Sequence, residues 1–190
     1  MSSSWRRVVV LVPYRCADGD LADTIDSVVA QTHEHVECQV LTDPDDTAGI
    51  QRAWQCAGLY PGHGIGVGSR QIDAAIHDTA AHLVLLLRPG QILRAGAIAE
   101  LVWARHQDQA LSVVFSQPDQ PDLPDLSSVT RKPLEFECAL YARDALLACG
   151  GFDATFDDGY ATWELWVRLV AAGHHFRLLH DRLLAEVHGV

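Results

Sequence analysis

Two short runs of consecutive apolar residues limit what this chain can fold into more than any other feature. Residues 8–12 and 83–87 contain only valine and leucine, with no polar residue at alternate positions. A strand with one face in water alternates apolar and polar residues, whereas a strand of a parallel sheet is covered on both faces and is apolar throughout. The two runs therefore predict buried parallel strands. Both are far shorter than the roughly 20 residues that span a bilayer, so we expect no membrane span.

Segments with helical spacing of apolar residues alternate with strand-like segments along the chain. The stretch from Leu21 to Val29 has this spacing and follows the turn residues at 18–20. The glycine-dense stretch 58–68 does not have the spacing of a dinucleotide fingerprint, and no strand is expected directly before it. Strands are predicted at 36–41, 111–115 and 136–141, and helices at 50–56, 70–81, 95–105, 144–148 and 163–172. This alternation predicts an α/β fold with a mainly parallel sheet and helices on both faces.

Length and charge narrow the class of protein further. The 190 residues are enough for one well-buried core, and we expect a single domain over 1–190. The segment 116–132 has three prolines and interleaved aspartates, which predicts a flexible loop that could act as a lid. The formal net charge of −11, with few and scattered basic residues, argues against a nucleic-acid partner. The N-terminal apolar stretch is too short for a secretory signal, so we expect a cytoplasmic location.

The cysteines point to no site of their own. Five cysteines form an odd-numbered set without a C-x-x-C pair, so the sequence indicates neither a disulfide framework nor a zinc site. Cys138 and Cys149 have no histidine or aspartate in a recognisable local signature. Buried, reduced thiols are therefore the favoured interpretation, and nucleophilic chemistry is the lesser alternative.

Three short motifs follow one another in the first quarter of the chain. Residues 8–15 contain the first predicted strand, 8–12, and the proline that we expect to end it, Pro13. Ser27, Val28 and Gln31 form a Ser-Val-x-x-Gln pattern in the helix that follows, and Asp43 comes directly after the second predicted strand.

Two further motifs lie near the end of the chain. Residues 150–153 are a Gly-Gly-Phe-Asp turn, and the helical segment 163–173 carries Arg168 and Gly173. The five motifs in this order resemble the family-2 glycosyltransferases with a GT-A fold, which transfer a sugar from a nucleoside diphosphate to an acceptor. The resemblance covers nearly the whole chain and implies a GT-A-like fold.

The resemblance also implies where a substrate binds. In open α/β sheets, ligands bind at the carboxyl ends of the strands. In the family, the residue in the position of Asp43 contacts the nucleobase. The resemblance thus implies nucleotide or substrate contacts from residues at the ends of three strands: Pro13, Tyr14, Arg15, Asp43 and Arg88. A turn built on the proline after Asp43, or a solvated turn at Arg88, is the alternative for these two residues.

The sequence departs from the family at the metal-binding motif. The family's Asp-x-Asp motif, which holds a divalent metal on the diphosphate, is replaced here by Arg88, Pro89 and Gly90. A guanidinium can bind phosphate oxygens through two parallel hydrogen bonds without an ion. We therefore expect no cofactor and no divalent metal, with Arg88 on the diphosphate instead.

The second departure removes the usual general base. Counting back from Arg168, the positions of the family's Glu-Asp pair hold Ala161 and Thr162. Neither side chain accepts a proton near neutral pH, and base catalysis contributes roughly 10²- to 10⁴-fold in rate. Glu164 and Asp158 are the candidate catalytic carboxylates nearby, although Glu164 also fits the polar face of a helix.

Three functions remain open from the sequence. The first is a glycosyltransferase, metal-independent or impaired, that binds a nucleoside-diphosphate sugar and uses a small acceptor, with a homo-oligomer or a partner subunit as candidates to complete the site. The second is a GT-A fold used for non-glycosyl chemistry in a specialised biosynthetic pathway, since fold does not fix reaction. The third is a non-catalytic pseudoenzyme or partner-binding domain. An enzyme is favoured among them.

Overall fold

The described residues form one sheet flanked by helices. The structure, a computed structural model, describes residues 7–18, 20–69, 71–117, 138–153 and 158–185, without the side chains of residues 69, 158 and 159. Its strands are β1 (Val8–Tyr14), β2 (Val36–Thr42), β3 (Ile65–Ser69), β4 (Leu83–Leu86), β5 (Leu111–Ser116), β6 (Cys138–Ala142) and β7 (His175–Leu179). Its helices are α1 (Leu21–Val29), α2 (Thr47–Gly58), α3 (Ile72–Asp78), α4 (Ala97–Gln107), α5 (Arg143–Ala148) and α6 (Asp158–Ala171).

The sheet is mainly parallel, as predicted. The strand order is β3-β2-β1-β4-β6-β5-β7. Strands β3, β2, β1 and β4 pair in parallel, and β5 pairs in parallel with β7. Only β6, among the described strands, runs antiparallel to its two neighbours. All six other strands therefore direct their carboxyl ends to the same edge of the sheet.

Alternate residues of β1 enter two separate apolar clusters, one on each face of the sheet. Val8, Val10 and Val12 pack with α1, α2 and α4 on the first face, and Val9 and Leu11 pack with α3, α5 and α6 on the second face. All five side chains are fully buried. Burying each one stabilises the fold by roughly 1.5–3 kcal/mol. This two-sided cover explains why the first apolar run has no polar positions, and it confirms the predicted helices on both faces.

Pro13 does not end β1, contrary to our expectation that the proline would stop the strand. Pro13 pairs with Leu41 of β2, and β1 continues to Tyr14. The Leu11 carbonyl accepts a hydrogen bond from Leu87 N on the β4 side (3.0 Å). Pro13 lies two residues further along and faces the same side, where β4 has already ended. Its lack of an N–H group therefore costs no hydrogen bond of the ladder.

The Gln31 side chain links α1 to the start of α4. Its Nε2 donates to the Ser27 carbonyl (2.9 Å) and to the Arg94 carbonyl (2.8 Å). Its Oε1 accepts from Ile98 N (3.0 Å), one of the orphan amides at a helix N-terminus. The glutamine of the Ser-Val-x-x-Gln pattern therefore holds two helices of the first face together.

Two edge strands lie outside the sequence prediction. β3 lies in the glycine-dense stretch, and its Ile65 and Val67 pack against the first-face cluster, while Gly66 and Gly68 alternate with them. Alternation is thus present, but glycine hides it because one face of the strand has no side chains. β7 follows α6 after a turn at Gly173, which has a positive φ of 76°.

Several predicted boundaries also change. α6 begins at Asp158 rather than at residue 163, and β6 is described from Cys138 onward. Of the predicted loop 116–132, Ser116 is the last residue of β5 and residues 118–132 lie outside the described residues. Across the described ranges, we find no helix with the length and apolar character needed to span a bilayer.

Candidate functional site

The carboxyl ends of β2, β1 and β4 lie side by side and bring three predicted residues to one edge. Pro13 lies in β1, Asp43 directly follows the last residue of β2, and Arg88 lies two residues after the end of β4. Adjacent strands are about 4.8 Å apart, so the ends of β2 and β4 are separated by about 10 Å. We call this group, together with Arg15, the strand-end site.

Asp43 closes the turn that follows β2. Its Oδ1 accepts a hydrogen bond from Asp45 N (3.1 Å), and its carbonyl accepts one from Asp46 N (3.0 Å). The side chain is half-buried. The turn alternative for Asp43 is therefore present in the structure, and it leaves Oδ2 without a hydrogen bond to any described residue.

Arg88 is an exposed side chain on a rigid turn. Its backbone N donates to Gln91 Oε1 (2.8 Å), and Gly90 N donates to Thr24 Oγ1 of α1 (2.8 Å). Gly90 has a positive φ of 86°, which a glycine adopts without strain. Within the described part of the chain, the Arg88 guanidinium has no hydrogen bond and no ion pair. These hydrogen bonds thus fix the backbone of Arg88 and leave the donors of its guanidinium available.

Asp46 is the residue of this edge that sequence reasoning missed. Its Oδ2 accepts from Cys16 N (2.8 Å) in the loop after β1, and its Oδ1 accepts from Gly49 N (2.8 Å) in the first turn of α2. These backbone hydrogen bonds lower the pKa of Asp46, that from Cys16 contributing most. A Cβ on Gly49 would lie only 2.2 Å from Asp46 Oδ2. Asp46 therefore joins β1 to α2 beside the strand-end site. The Asp-x-x-Gly spacing of a helix cap was the available signal.

Tyr14 is placed beneath the site rather than in it. It is 4% exposed and lies in the first-face cluster. Burial raises the pKa of its hydroxyl, and the nearby Cys16 thiol raises it further. The neighbouring Arg15 is exposed, and its backbone N donates to Asp18 Oδ2 (2.7 Å). Of the three predicted residues at the end of β1, Arg15 has a side chain exposed to solvent, Pro13 is partly buried and Tyr14 is buried.

Glu164 is bound to Arg168 and is poorly placed for the catalytic role considered for it. Arg168 donates from Nε to Glu164 Oε1 (2.6 Å) and from Nη2 to Glu164 Oε2 (2.5 Å). The hydrogen bond to Glu164 chiefly raises the pKa of Arg168. Both carboxylate oxygens are thus engaged in a two-point ion pair. Asp158 is the first residue of α6, and its side chain is outside the described part of the structure.

The Gly-Gly-Phe-Asp turn is held from two sides. Arg168 also donates to the Cys149 carbonyl and to the Gly151 carbonyl (2.7 Å for the latter). From α3, Asp73 Oδ1 accepts from Phe152 N (2.8 Å). A Cβ on Gly151 would lie 2.3 Å from Asp73 Oδ1. The arginine and the glycines of the late motifs therefore serve to position this turn, and Asp73 is a partner that the sequence did not reveal.

The comparisons with known proteins identify the fold. No protein-family model matches the sequence, and no curated protein matches it. Among solved structures, a mannosyltransferase from Pyrobaculum calidifontis in complex with GDP-Man and Mn²⁺ matches 95% of this chain and 56% of its own, with a TM-score of 0.74 and 15% identity. S. aureus TarS residues 1–349 matches 94% of this chain and 59% of its own, with a TM-score of 0.71 and 11% identity.

A third match extends the same result. Glucosyl-3-phosphoglycerate synthase from Mycobacterium tuberculosis, in complex with Mn²⁺, UDP and phosphoglyceric acid, matches 91% of this chain and 68% of its own, with a TM-score of 0.63 and 17% identity. The chain spans less than two thirds of the length of the first two structures. It therefore has a GT-A-like fold, as the motif order implied.

One expectation is contradicted by these matches. We expected no divalent metal, but both the mannosyltransferase and the synthase contain Mn²⁺ beside a nucleotide or nucleotide sugar. A divalent ion therefore belongs to the chemistry that this fold supports. The residues of this chain do not by themselves fit such an ion: within the described ranges, no three His, Cys, Asp or Glu side chains are grouped to bind a metal. At the end of β4, arginine, proline and glycine supply no carboxylate.

Proposed function

We propose that this protein binds a nucleoside-diphosphate sugar at the strand-end site and transfers the sugar to a small acceptor. The single observation that carries the proposal is the position of Arg88. Its guanidinium projects from a rigid turn at the end of β4, in a GT-A-like fold, with its donors available. Solved structures of the same fold contain GDP-Man, UDP or UDP-GlcNAc.

In this proposal, Asp43 binds the nucleobase of the nucleotide sugar and Arg88 binds its diphosphate. The free carboxylate oxygen of Asp43 accepts from an N–H group of the nucleobase. Arg88 donates to the diphosphate, and a guanidinium matches phosphate oxygens through two parallel hydrogen bonds. The separation of about 10 Å between the two strand ends suits a ligand with a base at one end and a diphosphate at the other. Because the whole chain has a net charge of −11, a local cation matters for holding an anion.

Arg15 and Asp158 complete the proposed site. The exposed Arg15 at the end of β1 lies between the ends of β2 and β4 and supplies a second cation. Asp158, at the first position of α6, is the proposed carboxylate on the acceptor side, because Glu164 is held by Arg168. No step of the proposed transfer is assigned to a metal ion, since the described residues do not form a metal site.

A second candidate function is nucleotide binding without transfer. It is favoured by one group of observations on α6. Ala161 and Thr162 hold the positions of the usual base, and the carboxylate of Glu164 is engaged with Arg168. A domain that keeps the nucleotide site but has lost its base would bind the donor and release no product.

Calorimetric titration with UDP, GDP and TDP, each with and without Mn²⁺, tests the proposal. We expect one of the three nucleotides to bind, and the Arg88→Ala variant to bind it about 10- to 100-fold more weakly, because charge-assisted hydrogen bonds contribute about 1.5–3 kcal/mol. Arg7→Ala is the matched control: Arg7 is an exposed arginine beside the opposite end of β1 and should leave affinity unchanged.

Turnover then separates the two candidate functions. Transfer or slow hydrolysis of the corresponding nucleotide sugar in the presence of Mn²⁺, lost in the Asp158→Asn variant, supports the transferase. Binding with no release of nucleoside diphosphate supports the non-catalytic domain. If no nucleotide binds under any of these conditions, both candidates are wrong and the fold serves other chemistry.

A further inference from the structure

A cysteine, a histidine and a serine from three distant segments meet at the edge of the sheet opposite the strand-end site. Ser112 is the second residue of β5, and His174 lies directly before β7. Both are therefore at the amino-terminal edge of these strands. Cys149 follows the last residue of α5. Cys149 lies 25 positions and Ser112 lies 62 positions before His174, so no local sequence pattern could reveal the three residues as a group.

The three side chains form a chain of contacts through the imidazole ring. His174 Nδ1 is 2.8 Å from Ser112 Oγ, and His174 Nε2 is 3.4 Å from Cys149 Sγ. Ser112 is 9% exposed, whereas Cys149 and His174 are partly exposed. The serine is thus the more buried of the two neighbours of the ring. In nucleophilic sites, a base contacts the nucleophile and a third group orients the base, which is the arrangement found here.

The backbone holds the histidine and the cysteine in fixed positions. His174 N donates to the Leu169 carbonyl (3.1 Å) in the turn that ends α6, and Gly173 N donates to the Val170 carbonyl (3.0 Å). The Cys149 carbonyl accepts from Arg168. The contact between ring and thiol therefore does not depend on a mobile loop, and a substitution of His174 side-chain atoms leaves its backbone hydrogen bond intact.

Burial favours the protonated form of this thiol. Burial raises the pKa of Cys149, and the positive charge of Arg168 opposes this effect only in part. A thiol of this kind reacts slowly unless a neighbouring base removes its proton during the attack. The described charged groups that bear on it are Arg168 and, bound to that arginine, Glu164.

We propose that Cys149 and His174 form a nucleophilic thiol site, oriented by Ser112, that reacts with carbon electrophiles carrying a leaving group. With its proton on Nδ1, His174 donates a hydrogen bond to Ser112 Oγ. Its Nε2 then has a lone pair that accepts the thiol proton. In the reaction, the sulfur electron pair forms an S–C bond, the leaving group departs with the electrons of its bond to carbon, and the thiol proton passes to Nε2. This site is independent of nucleotide binding at the other edge of the sheet.

Iodoacetamide is the probe for the test, with the alkylation rate of each cysteine measured at pH 7 by mass spectrometry of digested samples. Iodide is the leaving group. The exposed Cys16 is the internal reference in every sample. We expect Cys149 to react at least as fast as Cys16 although it is less exposed. In the His174→Gln variant, which keeps a polar side chain but has no base, the rate at Cys149 should fall about 100-fold.

Two further variants make the result specific. His175→Gln changes the adjacent, exposed histidine and should leave the rate at Cys149 unchanged. Ser112→Ala should lower the rate several-fold, because the ring loses its orienting partner. A rate at Cys149 that is the same in the wild type and in His174→Gln, or a Cys149 that stays unmodified while Cys16 reacts, overturns the proposal. Circular dichroism of each variant confirms that the comparison is between folded proteins.

Discussion

Arg168 binds Glu164, one helical turn earlier on α6, through two hydrogen bonds of 2.6 and 2.5 Å. The same guanidinium donates to the carbonyls of Cys149 and Gly151. One side chain therefore ties α6 to the Gly-Gly-Phe-Asp turn. The arginine of the late helix therefore contacts the backbone of the turn, and both oxygens of its carboxylate partner accept hydrogen bonds from it.

Removal of this arginine should destabilise the protein clearly. Arg168→Ala leaves two carbonyl groups and a partly buried carboxylate without their donor, and we expect the free energy of unfolding in urea to fall by about 2–3 kcal/mol. Arg94→Ala is the matched control, since it removes an exposed ion pair with Glu100 and should cost less than about 1 kcal/mol. Equal losses in the two variants would contradict the importance of the Arg168 contacts.

The two glycines of the turn should respond differently to alanine. Both have a positive φ, 83° at Gly150 and 73° at Gly151, which costs a non-glycine residue roughly 1–2 kcal/mol. A Cβ at Gly150 meets open space, whereas at Gly151 it lies 2.3 Å from Asp73 Oδ1. We therefore expect Gly151→Ala to lower the thermal midpoint by several degrees more than Gly150→Ala. Similar midpoints for the two variants would show that Asp73 does not restrict the turn.

Gln31 should matter for stability rather than for binding. Gln31→Ala removes three hydrogen bonds, one to α1 and two to the α4 region, so we expect a loss of about 2 kcal/mol in the free energy of unfolding. Gln31→Glu should be at least as damaging, because a carboxylate has no donor for the Ser27 and Arg94 carbonyls. Gln51→Ala, at an exposed position of α2, serves as the control and should change stability by less than about 0.5 kcal/mol. A tolerated Gln31→Glu variant would be inconsistent with the contacts described.

Asp46 should make the folding stability of the protein depend on pH in the acidic range. Its pKa is lower in the folded protein than the ordinary value of 3.8, so its charged form stabilises the fold above that value. This contribution is lost as the pH falls from about 4 through the lower folded pKa. We expect the urea midpoints of the wild type and Asp46→Asn to differ most at pH 6–7 and to converge as the pH falls below about 4. A difference that is constant from pH 7 to pH 3 would argue against ionic hydrogen bonding at Asp46.

Much of the fold could be predicted because the relevant information is local. The apolar run that became β1 has no polar position, and the helix that follows it has its apolar residues one turn apart, so both elements were predicted nearly to their ends. β3 was missed since Gly66 and Gly68 occupy one of its faces, and a glycine-rich segment is more typical of a turn than of a strand. The start of α6 was missed because its first two residues are an aspartate and a glycine, which have low helix propensity.

The candidate site was predictable only in outline. Strand ends of a parallel sheet meet at one edge, so the sequence is enough to place Asp43 and Arg88 at the same edge, but the distance between them depends on the strand order in the sheet. Tyr14 could not be separated from Arg15, because which of two neighbours faces the core depends on the register of β1 in the sheet. The sequence shows that the carboxylates of the usual metal site are absent, but this absence was not sufficient ground to expect no metal ion, since matched structures of this fold contain Mn²⁺.

The sequence by itself determined the class of fold and the positions of most buried strands, because burial and propensity act on neighbouring residues, and it also determined the net charge of −11. Tertiary packing alone decided that Glu164 is held by Arg168, that Asp46 joins β1 to α2, and that His174 lies beside Cys149. Contacts of this kind arise where separate elements approach within a few ångströms. Their partners are fixed by how helices rest on the sheet, which no spacing along the chain records.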